Sequence, residues 1–521
     1  MITIPEMLAR NARMYPDDSA LVELKPSLNY RREITWRQMD DEANRVANAL
    51  IDTGVKKGDR VTHWMMNSID WLIVYFGILR SGAWVVPLNF RFTGSDFLYC
   101  AEISGARFMI IGEEFVQRVD SVKGQLQGVE KVVALGSGLP GYMTGYRSWL
   151  EGCSTTQPVT DVGPHEGCSL YFTSGTTGTP KPILLTHDNL RCAAITEYAH
   201  HGQQKSDNFV IIPPLYHTGS KMHWFGSLVT GGRATLLGEI SPRNILETVH
   251  RERGTIVWLL VPWAHDILVA LEDGKVRKED YDLSCWRLMH IGAQPVPPSL
   301  VRRWMEFFPG MQYDTNYGLS ECSGPGCVHL GVENIHKVGA IGKAGFNWET
   351  KIVDDKGGLL EAGKIGELAV KGDGVMKEYY KNPEKTAETL RDGWLLTGDM
   401  ATVDGDGFIH LVDRKKDVII TGGENIYPVE VEDAIHNLDA VNDVAVIAIP
   451  DHRLGEIAVA IVDVREGASI SEAEIIGYCR ENLARHSVPR KVIFDKVPRN
   501  PTGKIEKPVL REKYKQGAAA G

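Results

Sequence analysis

Thr173-Ser174-Gly175-Thr176-Thr177-Gly178-Thr179-Pro180-Lys181 follows the apolar run Leu170-Tyr171-Phe172. A short buried strand that opens into hydroxyl residues, two glycines and one lysine makes a loop able to wrap a polyphosphate with O–H and N–H donors, because glycine lets the backbone approach closely. Lys181 stands three residues after Gly178. That spacing differs from GxxxxGK[ST], so a kinase or motor ATPase of the P-loop kind is disfavoured. The plain alternative for such a string is a polar surface turn.

Outward from the loop, the chain alternates two textures. Thr35 and Gln38 form a capping box ahead of Trp36, Met39, Ala43, Val46, Ala47 and Leu50, apolar at helical spacing, and Gly54 stands where a helix stop belongs. Branched apolar runs at 108–111, 131–135, 209–212, 256–261 and 288–291 read as buried strands separated by helical segments. The expectation is an α/β architecture with largely parallel sheets. From about residue 349 the pattern turns to alternating strands with tight turns at 356–358 and 404–407, a small antiparallel β subdomain. After the charged run 414–417 it restarts as helix 431–438, strands 441–449 and 458–464, and helix 472–484. The expected division is residues 1–413, a linker at 414–417, and 418–521.

A length of 521 residues exceeds one ordinary core, so two or more domains are expected. With 57 basic against 67 acidic residues and no basic run, nucleic acid is excluded as the main partner. The longest apolar stretch, Trp71 to Leu79, ends at Arg80, too short for a bilayer span, and residues 1–17 lack an apolar signal core. A cytoplasmic location is expected. Eight cysteines are scattered without a CxxC and without His/Cys clusters at metal-ligand spacing. They read as buried thiols, and no structural zinc is expected.

The 173–181 loop resembles, nearly residue for residue, the phosphate-binding signature of the adenylate-forming (ANL) superfamily: acyl-CoA synthetases, stand-alone adenylation domains and beetle luciferases. The resemblance recurs in order. Pro214 to Gly219 is similar to the aromatic-His segment before the acid-binding helix, Gly292-Ala293-Gln294-Pro295 to the adenine-side loop, and Tyr317-Gly318-Leu319-Ser320-Glu321 to the magnesium motif. Trp394 to Asp399 is similar to the ribose-binding segment, Arg414 to Asp417 to the hinge, Gly422-Gly423-Glu424 onward to the thioester loop, and Pro501 to Lys504 to the C-terminal catalytic lysine. Pro182, Ser320 and Asn316 depart from the usual residues, yet none removes a charge that the chemistry needs.

The resemblance implies a mobile C-terminal α+β domain and an ATP-dependent acid:CoA ligase working through acyl-AMP, with Mg²⁺ and coenzyme A. Lys504 would bridge carboxylate and α-phosphate, Glu321 hold the metal and Ser320 donate to the α-phosphate. Thr173, Ser174, Gly175, Thr176, Thr177, Gly178 and Lys181 would hold the β and γ phosphates. Asp399 and Arg414 would fix the ribose, with Asn316, Tyr317 and Gly318 against the adenine and Gly292, Ala293 and Gln294 closing its other side. Lys416 would be the hinge, and Gly422, Gly423 and Glu424 would serve the thioester step. Taken singly, Asp399 with Arg414 reads as a surface ion pair, Glu321 as a solvated helix start and Lys504 as a loop lysine.

His217, Thr218, Lys221 and Trp224 are the expected acid-pocket residues, with a satisfied core histidine as the rival for His217. Large side chains at 222, 224 and 225 suggest a compact pocket for a medium-chain, alicyclic or aromatic acid. Lys221 or His223, facing inward, would instead pair a second carboxylate. A carrier protein as acceptor, or a non-catalytic nucleotide-binding regulator, are the alternatives. Oligomeric state, a homodimer included, is not legible.

Overall fold

The computed structural model describes residues 2–173, 180–293, 296–499 and 505–514. Thr35 caps helix Trp36–Asp52 from both directions, its Oγ1 accepting from Gln38 N and its N donating to Gln38 Oε1. The apolar face of that helix meets helix Ile69–Arg80 at a glycine. A Cβ on Gly77 would lie 2.5 Å from Val46, so only glycine permits the crossing. Every residue of Ile69–Arg80 except Asp70 is buried, which explains an apolar run without helical periodicity: a helix enclosed on nearly all sides is apolar on nearly all sides. Among the described residues no helix is long and apolar enough to cross a membrane.

Two large sheets form the bulk of the chain. The first has eight strands; its core pairs are parallel, among them Arg60–Trp64, Trp84–Pro87, Phe108–Ile111 and Lys131–Ala134, and Gly167–Thr173 lies antiparallel to Lys181–Thr186 at one side. The second has nine strands, with Asn208–Ile211, Ile256–Leu260, Leu288–Gly292 and Gln312–Tyr317 parallel in its middle and antiparallel pairs at both edges. The run 256–261 ends its strand one residue early. Val261 opens the next helix, with Pro262 in the first turn where its missing N–H costs nothing.

An all-antiparallel sheet of five strands spans Trp348 to Arg414. A further five-stranded sheet follows it, built on the long pair Val441–Asp451 and Gly455–Val464 and carrying its own apolar cluster with helices Pro428–His436 and Glu472–Asn482. The fold is thus mixed α/β with a large N-terminal domain and a smaller C-terminal one.

Candidate active site

The phosphate loop hangs between two paired strands. Thr173 is the register partner of Lys181, and its Oγ1 donates to the Lys181 carbonyl at 3.4 Å. Ser174, Gly175, Thr176, Thr177, Gly178 and Thr179 lie outside the described residues. The exit is tied down by Tyr99 Oη donating to the Pro180 carbonyl at 3.2 Å and by Tyr380 N donating to Pro182 O at 2.9 Å. Pro182 stands opposite Phe172 in this pair, tolerated with a carbonyl and no donor.

Sheet register builds the next group. Asp399 and Arg414 are partners across the antiparallel pair Trp394–Val403 and Ile409–Arg414. Arg414 Nε lies 2.5 Å from Asp399 Oδ1, while Tyr317 Oη donates to Asp399 Oδ2 at 2.5 Å. Burial alone would discharge Arg414, but Asp399 and Tyr317 outweigh it and raise the guanidinium. Burial, reinforced by Asp399, pushes the Tyr317 phenol well above its ordinary range, so it stays a donor. Half of the Arg414 side chain remains exposed.

Beyond Tyr317 the chain turns through a short 3₁₀ segment, Ser320–Cys322, with Ser323 left-handed at φ 65°. Glu321 Oε1 accepts from Tyr379 Oη at 2.8 Å, and its carboxylate joins no ion pair within 4 Å among the described residues. Ser320 Oγ accepts from Thr218 Oγ1 at 3.2 Å. The loop from Gly318 to Gly326 presses on helix Thr218–Thr230 so closely that a Cβ on Gly324 would lie 2.6 Å from Gly219 N, and one on Gly318 2.6 Å from Gly324 O. Gly292 faces Asn316, with 3.1 Å from a would-be Cβ to Asn316 Oδ1. Ala293, at φ 70°, holds a left-handed turn that non-glycine residues rarely occupy, the kind of strain found at ligand sites. Gln294 lies outside the described residues.

Helix Thr218–Thr230 separates the expected acid-pocket residues. His217 precedes its first turn, its ring 4.2 Å from that of Tyr216. Gly219 and His223 lie one turn apart on one face: a Cβ on Gly219 would meet Trp258 Cη2 at 3.0 Å, and His223 stacks on Trp258 at 4.3 Å. His223 Nε2 is 3.0 Å from Asn316 Nδ2. Trp224 and Lys221, the other expected acid-pocket residues, turn into the core of the domain. Trp224 packs edge-on against Phe76 of the enclosed helix. Lys221 Nζ donates to the Leu215 and His217 carbonyls at 3.1 Å each and sits 4.4 Å above the Tyr171 ring. Burial pushes its amine well below a lysine's ordinary value. Met222 and Phe225 are also fully buried in this core. The large residues at 222, 224 and 225 are therefore core residues, whereas Trp258, which the motifs do not mark, lies against the Gly219 and His223 face of the helix.

At the linker, contacts divide at one residue. Lys415 N donates to Gly398 O at 2.8 Å and its Nζ pairs with Glu367 at 3.0 Å, both in the five-stranded sheet ending at Arg414. Asp417 pairs instead with Arg511 of helix Lys507–Tyr514 at 2.7 Å. Lys416 lies exposed between them. Gly422 and Gly423, at φ 58° and 90°, form the two-residue turn joining Ile419–Thr421 to Glu424–Ile426, and Glu424 is exposed. Lys504 lies outside the described residues; the residues beside that segment, Arg499 and Ile505, form a β-bridge.

Sequence spacing also missed Glu197, His201, His290, Asp314 and His329, which gather beneath Asn316 with His223, all at most 3% exposed. The absence of a His/Cys cluster along the sequence says nothing of grouping in space: ligand-capable atoms of Glu197, His223 and His290 lie within 4.8 Å of one another, as do those of His201, Asp314 and His329. No local motif signals them, since they come from five elements.

The sequence pattern of the AMP-binding enzyme family matches residues 8–380, and that of the AMP-binding enzyme C-terminal domain matches residues 430–504. The chain is 34% identical to a feruloyl-CoA synthase of an Amycolatopsis species over 97% of its own length and 98% of that protein's. It is 31% identical to the long-chain-fatty-acid–CoA ligase FadD13 of Mycobacterium tuberculosis over 99% of both chains. The crystal structure of the anthranilate CoA ligase AuaEII in complex with anthranoyl-AMP superposes with a TM-score of 0.89 at 29% identity, covering 99% of this chain and 98% of that one.

Proposed function

The chain belongs to the AMP-binding enzyme family, and from there we propose that it activates a compact aromatic or alicyclic carboxylic acid as its CoA thioester. It is an AMP-forming acid:CoA ligase. A carboxylate oxygen attacks the α-phosphorus of ATP, the bond to pyrophosphate breaks, and acyl-AMP results. The CoA sulfur then attacks the acyl carbonyl carbon, AMP departs, and the thiol proton passes to solvent.

Both partners of the first step are anions, so the protein must supply cations and donors where charge builds. The paired strands around Thr173 and Lys181 are the proposed seat of the departing phosphates. Asp399, with its two oxygens already oriented by Arg414 and Tyr317, is the proposed grip on the ribose, and the exposed half of Arg414 leaves it open to a ligand. Lys504 is the proposed cation for the developing α-phosphate charge. Mg²⁺, when bound, would neutralise phosphate charge. Glu321 fits it, because its carboxylate has a phenol donor on one oxygen and, among the described residues, no ion-pair partner. Lys416 is the proposed pivot, supported by contacts that tie 415 to one domain and 417 to the other. The cytoplasm, where ATP and CoA are both supplied, is the proposed location.

One observation carries the substrate reading: a Cβ on Gly219 would lie only 3.0 Å from Trp258, which His223 backs by stacking. A rigid indole closing the pocket-side face of the helix favours a flat or ring-shaped acid over a long flexible chain. ATP–pyrophosphate exchange over a panel of benzoate-like, cinnamate-like, cyclohexane and straight-chain acids tests it. The ring acids should give the highest kcat/KM; a steady climb into long-chain acids overturns the compact pocket.

A further inference from the structure

Six ionisable side chains from five elements meet under Asn316: Glu197 and His201 from helix His187–His201, His223 from helix Thr218–Thr230, His290 from strand Leu288–Gly292, Asp314 from Gln312–Tyr317 and His329 from Val328–His329. They divide into two halves of different character. In one, every ring nitrogen has an oxygen beside it. His201 lies 2.9 Å from Glu197 and 3.0 Å from Asp314, and His329 lies 2.8 Å from Asp314 and 3.0 Å from the Gly326 carbonyl. Burial opposes charge on His201, but the two flanking carboxylates outweigh it and raise its pKa to about 10. Protons complete this half.

The other half is open. His290 is fully buried, and neither of its ring nitrogens has a hydrogen-bond partner. Neither oxygen of Glu197 receives a hydrogen bond, its contact to His201 being too bent for one. Glu197 lies 3.8 Å from His223 Nε2 and 4.0 Å from His290 Nδ1, too far for a proton to bridge and with the ligand atoms converging on one point. A fully buried carboxylate and imidazole without donors or acceptors are costly, and natural interiors rarely keep them so.

We propose that Glu197, His223 and His290 form a buried site for one zinc-type divalent cation. Two imidazoles and a carboxylate are the ligand set such a borderline-soft ion takes, at about 2.0–2.2 Å from each donor atom. A metal would make use of the atoms of Glu197 and His290 that now lack hydrogen-bond partners, and at His223 Nε2 it would take the place of the Asn316 amide. The surroundings match what metal-bound histidines need: His223 has its other nitrogen, Nδ1, on the Gly219 carbonyl, and His201 stands behind Glu197. Such a site, sealed at 2% exposure or less, would fill as the chain folds.

The full chain, produced in zinc-supplemented medium and dialysed against a chelator, should retain about one zinc per molecule by mass spectrometry. X-ray absorption at the zinc edge should show nitrogen and oxygen neighbours at about 2.0–2.2 Å and no sulfur near about 2.3 Å, which separates this site from the eight cysteines. Glu197→Gln and His290→Gln should each drop zinc to roughly a tenth per chain, and His329→Gln should keep it. If Glu197→Gln does not fold, His290→Gln, which exchanges one neutral polar group for another, carries the test. Zinc-free wild-type protein, a sulfur shell, or undiminished zinc in His290→Gln overturns the proposal.

Discussion

Asp399 and Lys221 are both buried ionisable groups, and their surroundings are opposites. Asp399 has a cation and a phenol on its two oxygens, held by strand register, and Arg414 opens the group toward solvent. Among the described residues Lys221 pairs with no carboxylate: two carbonyls and aromatic rings enclose its amine, and burial drives it toward the neutral form. A charge proposed to meet a ligand is matched by a half-exposed partner, whereas an amine in the core is sealed and discharged.

The sharpest way to test that contrast is to remove charge on the ligand side. Lys504→Ala should cut acyl-AMP formation by about a hundredfold or more, the scale of a preorganised donor to developing charge. The same variant should convert supplied acyl-AMP to acyl-CoA at close to the wild-type rate. Equal loss in both half-reactions would remove Lys504 from the ligand-side group.

A proline at the pivot should separate the steps from the other side. Lys416→Pro fixes φ near about −65° between the Lys415 and Asp417 anchors, so overall turnover should fall at least roughly tenfold while pyrophosphate exchange persists. Unchanged overall turnover would mean that no rotation occurs there.

Between ligand side and core stands Trp258, and Trp258→Leu should open the wall beside Gly219. Acids two methylenes longer than the best wild-type substrate should gain roughly tenfold in kcat/KM, at about 0.8 kcal/mol per methylene buried. An unaltered acid profile would show that the indole does not bound the pocket.

The smallest catalytic effect belongs to Lys221→Met, whose kcat/KM should stay within about twofold of wild type. Its signature is pH. Lys221 is held well below its ordinary value of 10.5 in the fold, so below that pH the unfolded chain binds a proton that the native state refuses. Wild-type stability should therefore rise with pH toward 10.5 and fall as pH drops through the window beneath it. Thermal melting of the variant at several alkaline pH values should lack that slope. A large catalytic loss would instead put Lys221 beside the substrate and erase the contrast with Asp399.

By itself the sequence determined what local chemistry can encode: the capping box of Trp36–Asp52, the branched runs that became sheet strands, the glycine turn at 422–423, and the ordered motifs that place this chain among AMP-binding enzymes. Such features depend on residues a few positions apart, where backbone geometry is fixed by type and spacing. Tertiary structure alone decided which way helix Thr218–Thr230 turns, sending Lys221 and Trp224 into the core and Gly219 and His223 toward Trp258 and Asn316. It alone gathered Glu197, His201, His223, His290, Asp314 and His329 from five elements spread over more than 130 residues. Facing is set by which neighbours fill the space on each side, and that balance of packing and desolvation has no counterpart in the spacing of residues along the chain.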